Sequence, residues 1–90
     1  MIVRIMGEGQ YRVDDVVIER LNELDDALEE ALADEAAFPA ALSALLSAVR
    51  MEGEQLADDE LVTSDVVLPS GDATVDEVRA LLTDEGLIPD

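Results

Sequence analysis

The sequence predicts an α+β domain with the element order ββααβα: an N-terminal β-hairpin, a helical hairpin, a short third strand and a C-terminal helix, with a small antiparallel sheet packed on the helices. Three observations carry this. Two short runs rich in β-branched residues flank Gly7-Glu8-Gly9, leucines recur three and four residues apart through two long segments, and Thr74-Val75-Asp76-Glu77 has the form of a helix-opening capping box. At 90 residues, 49% of them hydrophobic and 31% charged, the chain is expected to make a single domain over residues 1–90.

Met1-Ile2-Val3-Arg4-Ile5-Met6 and Gln10-Tyr11-Arg12-Val13 read as the hairpin. A three-residue loop with glycine last fits a type I turn closed by a left-handed residue, so Gly9 is expected to tolerate a side chain least. Taking Met6 opposite Gln10 sets Ile5 against Tyr11, Arg4 against Arg12 and Val3 against Val13. Alternation sends Val3, Ile5, Tyr11 and Val13 to the core and leaves Arg4 and Arg12 sharing the other face. Like charges directly opposed need carboxylates from elsewhere.

The first helix opens at Asp14 or Asp15, whose carboxylates suit free amides and the positive end of the helix dipole. Val17, Leu21, Leu24, Leu28 and Leu32, with Ile18 and Ala31, form the inward stripe. Glu19, Glu23, Asp26, Glu29 and Glu30 turn outward, and the pair Asp25-Asp26 is read as exposed. A second, antiparallel helix runs to about Met51 with Phe38, Leu42, Leu45, Leu46 and Val49 inward. It opens either at an Asp34 cap, where Pro39 costs a hydrogen bond, or at Pro39 itself, whose fixed φ suits a first turn. Beyond Gly53, Asp58-Asp59-Glu60 reads as loop and Val66-Val67-Leu68, before Pro69, as the third strand. The last helix carries Val75, Val78, Leu81 and Leu82 to a stop at Gly86, and Leu87 and Ile88 are expected to fold back onto the core.

Composition removes most chemistry. There is no cysteine, histidine, tryptophan or lysine, so disulfides, thiolate metal sites, thiol redox chemistry and the usual activated nucleophiles are excluded. A carboxylate base alone is a poor substitute, and acidic pairs on an exposed helix lack the cleft that glycosidase-like chemistry needs. Asp58-Asp59-Glu60 with Asp65 offers oxygen ligands but matches no EF-hand spacing and reads as a solvated loop. Gly7-Glu8-Gly9 leads into a strand and puts a carboxylate where a phosphate would sit. No catalytic residue, cofactor or metal is expected.

Five basic residues, all arginine, stand against 23 Asp and Glu, a formal net charge of −18. A field of that sign repels phosphate backbones and anionic lipid, so neither nucleic acid nor membrane is expected to be bound directly. The acidity fits either a salt-rich cytoplasm or recognition of a basic partner. Met1 to Met6 lacks the apolar core and cleavage site of a secretory signal, and Ala36 to Val49, broken by Pro39, Ser43 and Ser47, is too short to span a bilayer. A cytoplasmic location is expected, reaching the inner membrane face only through a partner. The candidate partner-binding surface is the outer sheet face, with Ile2, Arg4, Met6, Gln10 and Arg12, and beside it the Ser/Ala side of the second helix. An arginine patch on an anionic body suits an acidic segment of another protein, with ion pairing inside the fold as its competitor.

Four blocks go further than periodicity: the opening M-I-V-R-I-M-G-E-G-Q-Y-R, L-N-E-L-D-D at Leu21 to Asp26, D-V-V-L-P at Asp65 to Pro69, and D-A-T-V-D-E-V-R-A-L-L-T-D-E-G-L-I-P at the close. With these the chain resembles the PspA-associated protein family, PspAA, essentially end to end. The resemblance implies a small non-enzymatic cytoplasmic accessory of the phage-shock protein A system, in which a coiled-coil PspA protein coats and remodels stressed membranes. It implies an adaptor or modulator with a PspA-like coiled-coil partner, leaves a homo-oligomer open, and brings no catalytic residues. The alternative reading from composition is an acidic nucleic-acid mimic or antitoxin-like inhibitor of a basic protein.

Overall fold

Seven elements are seen in the computed structural model, which describes residues 1–57, 59–60, 62–81 and 87. They are β1 (Ile2–Ile5), β2 (Gly9–Arg12), α1 (Asp15–Ala31), α2 (Phe38–Glu52), β3 (Glu54–Gln55), β4 (Val66–Leu68) and α3 (Val75–Leu81). The α+β class and the helix positions are as expected, and β3 is an added two-residue strand. The sheet is mixed where an antiparallel one was expected. Its order is β3-β2-β1-β4, with β1–β2 and β2–β3 antiparallel and β1–β4 parallel.

The hairpin register differs from the expected one by two residues: Ile5 faces Gly9, Arg4 faces Gln10, Val3 faces Tyr11 and Ile2 faces Arg12. The cause is the turn. The Glu8 amide donates to the Ile5 carbonyl at 3.0 Å, closing a tight turn around Met6 and Gly7. Gly7 sits at φ +84° where a type II turn requires a positive φ, and Gly9 follows at φ +141°. The turn therefore depends on Gly7 as well as on the expected Gly9. A slip of two leaves every side chain on its expected face, so Val3, Ile5, Tyr11 and Val13 are all buried.

Asp14 stands at the N-cap of α1 with extended backbone, yet its side chain makes no capping hydrogen bond. The acidic contribution there is Asp15 in the first turn. Leu21, Leu28 and Ala31 are buried, and Val17, Leu24 and Leu32 pack half-buried against the core. Asp25, expected outside, is 2% exposed; its Oδ1 accepts the Leu87 amide at 3.2 Å, and Leu87 is itself buried. The two openings left for α2 resolve in favour of proline: the helix starts at Phe38 with Pro39 in its first turn, where no amide partner is lost. Asp34 instead holds the preceding turn, with Oδ1 on the Ala36 amide and its carbonyl on the amides of Ala37 and Phe38. Arg20 near the start of α1 meets Glu52 at the end of α2 at 3.5 Å, as in an antiparallel helix pair. The Thr74 hydroxyl accepts the Glu77 amide at 3.2 Å, the capping interaction expected for α3. The expectations on Asp58, Leu82, Gly86 and Ile88 lie outside the described residues.

One layer of sheet lies on the helices. The shared core joins Val3, Ile5, Val13 and Leu68 of the sheet layer to Leu21, Leu28, Leu42, Leu45, Leu46 and Val49 of the helix pair and Val78 of α3. β3 and β4 run in the same direction on opposite edges. Between them, residues 62 and 64 cross over the outer face: the Gln10 side-chain amide donates to the Val62 carbonyl at 2.9 Å and to Ser64 Oγ at 2.8 Å. Leu56 is also buried, apart from the main core.

Candidate interaction surface

The outer sheet face is built from the odd-man-out positions of the hairpin, those that alternation turns away from the helices. On β1 these are Ile2, Arg4 and, just past the strand, Met6. Ile2 is half-buried and its amide donates to Asp65 Oδ2 at 2.7 Å. Arg4 is exposed, between Gln10 of β2 and Val67 of β4. Met6 is 49% exposed, its amide held by the Leu68 carbonyl at 3.0 Å. Arg12 is exposed between Ile2 and Glu54 of β3.

Two features of the expected patch change. Arg4 and Arg12 do not oppose each other, because the two-residue register difference sets Arg4 against neutral Gln10 and Arg12 beside a glutamate. Gln10 is 7% exposed, its side-chain amide held by Val62 and Ser64 within the fold. Val67, 40% exposed beside Arg4, belongs to the face and was not singled out from sequence. Its signal was present: the middle residue of a three-residue strand with buried neighbours must point the other way.

The five arginines divide clearly. Arg50 Nε and Nη2 both donate to the Glu8 carboxylate on the hairpin turn, which also accepts the Tyr11 hydroxyl at 3.2 Å. That hydrogen bonding from Arg50 holds the Glu8 carboxyl below its ordinary value, with partial burial pulling the other way. Burial pushes the Tyr11 hydroxyl up, and its bond to Glu8 adds to the shift. Arg20 pairs with Glu52, and Arg79 Nη2 donates to the Leu32 carbonyl at 3.3 Å. Arg4 and Arg12 make no ion pair among the described residues.

A recess of about 60 Å³ opens beside Arg4, lined also by Gly9, Gln10, Leu56 and Ala57. A larger groove, about 510 Å³, lies between the start of α2 and the start of α3, with Phe38 and Leu42 in its floor and Glu35, Asp72, Asp76 and Arg79 around it. Among the described residues no three carboxylates converge as a metal site would require, and no helix is long and apolar enough to cross a membrane. Beside the larger groove the Ser70 hydroxyl donates to Asp72 Oδ1 at 2.6 Å.

Comparison with curated proteins and comparison with solved structures each found no match. The family model for PspA-Associated protein, PspAA, matches residues 1–90, and over this full length the chain belongs to the PspAA family.

Proposed function

We propose that this chain is a non-enzymatic accessory of a PspA-type membrane-stress response, an adaptor that acts by binding the coiled-coil PspA protein. The observation that carries the reading is the match of the whole chain to a family named for association with PspA. The residue inventory agrees with it. Without histidine, cysteine or lysine, the chain has few means of activating a nucleophile, while sheet and helix faces are available for contact.

Membrane contact in this reading is indirect, since a body of net charge −18 is repelled by anionic headgroups. Flotation on phosphatidylglycerol-containing vesicles tests both parts. The chain is expected to stay in solution alone and to float when PspA is added. Flotation without PspA would contradict the indirect role, and failure to float on PspA-coated vesicles at any salt concentration would contradict the adaptor role.

A further inference from the structure

We propose that the exposed face of β1 and β4 is the docking surface, with Arg4 as its anchor, and that its occupant is a PspA segment presenting a carboxylate flanked by apolar side chains. This rests on the adaptor reading and names the surface that would serve it.

In a chain with 23 carboxylates, three arginines are engaged within the fold. Arg12 lies beside Glu54 across the β2–β3 ladder. Among the described residues, the neighbours of Arg4 on its face are uncharged: Gln10 and Val67 across the sheet, Ile2 and Met6 along the strand. No described carboxylate pairs with it, and a carboxylate from a partner would complete the contact. A guanidinium holds a carboxylate in a two-pronged, directional contact, and it does so most firmly where neighbouring apolar groups exclude water.

Those groups are in place. Met6 is 49% and Val67 40% exposed, one displaced along the strand from Arg4 and one on the adjoining strand. Residues 62–65, which cover Gln10 and then meet Ile2 through Asp65, bound the surface on its β2 side and at its Ile2 end. The recess of about 60 Å³ between Arg4 and that boundary has room for a carboxylate and not for a large side chain. The net charge of −18 opposes an acidic segment at long range. Screening over ~8 Å at physiological ionic strength leaves contact with Arg4 to decide.

The test is titration of purified PspA with the full chain and its variants, each checked for folding by circular dichroism and melting. Wild type is expected to bind. Arg4→Gln should weaken binding about tenfold, as an anchoring arginine does, and Arg4→Glu and Val67→Asp should weaken it further. Arg20→Gln and Asp76→Arg, which lie away from this face, should bind as wild type does. If Val67→Asp does not fold, Arg4→Gln decides. Binding by wild type with unchanged affinity in every Arg4 and Val67 variant overturns the surface and leaves the adaptor reading standing. Loss in Asp76→Arg with Arg4 variants unaffected moves docking to the α2–α3 groove and also overturns it. Arg4-dependent binding to phosphatidylglycerol vesicles without PspA overturns it by making lipid phosphate the occupant. No binding by wild type ends the adaptor reading itself.

Discussion

Glu8 sits on the hairpin turn and ties it to the end of α2 through Arg50. Its carboxyl is held below the ordinary 4.5, chiefly by hydrogen bonding from Arg50. A depressed folded value means that ionised Glu8 adds stability above the unfolded value, and that this is lost as pH falls through the lower, folded one. Both side chains are about one-third exposed, 33% and 38%, so screening limits the contribution to about 0.5–1 kcal/mol. Urea denaturation should show Glu8→Gln less stable than wild type by about that amount at neutral pH, with the gap closing in acid. A gap independent of pH would contradict the ion pair. Gly53 makes a sharper case. A Cβ there would lie 2.6 Å from the Val49 carbonyl oxygen, the same atom that accepts the Gly53 amide at 2.8 Å. Backbone cannot rotate away, so Gly53→Ala should cost about 2 kcal/mol. Gly71→Ala, which meets only Leu46 Cδ1 at 3.8 Å, should change stability by less than about 0.5 kcal/mol. The burial of Asp25 and Gln10 was not legible in sequence, because each is set by partners remote along the chain. Asp25 is bound by Leu87, and Gln10 by Val62 and Ser64.

Elements with a strong local signal were legible. The leucine spacing located α1 and α2, and Thr74 marked the start of α3, because helical periodicity and capping are properties of neighbouring residues. The hairpin was legible in its faces and not in its register, since faces depend on alternation and register on which residues close the turn. The parallel setting of β4 and the existence of β3 had no local signal. Both go with the placing of residues 62 and 64 over the sheet, where the Gln10 side chain holds them. Gln10→Ala removes both side-chain donations that pin this crossing. It should cost about 1–2 kcal/mol and raise amide exchange at residues 62–64 ahead of exchange in β1. Unchanged protection there would show that the crossing is held by other contacts. Of the candidate surface, Arg4, Met6 and Ile2 were placed on the right face from sequence. Gln10 lies on that face too, but its cover by residues 62–64 was not foreseen, and Val67 was missed.

The whole molecule carries a net charge of −18 over only 90 residues, so its compact state works against its own repulsion. Added salt screens that repulsion, and relief of ~1 kcal/mol in a domain of this size corresponds to ~4–8 °C in Tm. Melting in rising sodium chloride should therefore move upward from low ionic strength; a flat or falling Tm would mean that the carboxylates are not a net burden. In the proposed reading the same charge opposes contact with nucleic acid and anionic lipid and leaves recognition to local contacts. The most direct measurement is calorimetric titration of purified PspA with the wild-type chain at physiological salt. Saturable binding with a defined stoichiometry is the expected result. No heat and no complex, across salt concentrations at which both proteins stay folded, would contradict the adaptor role.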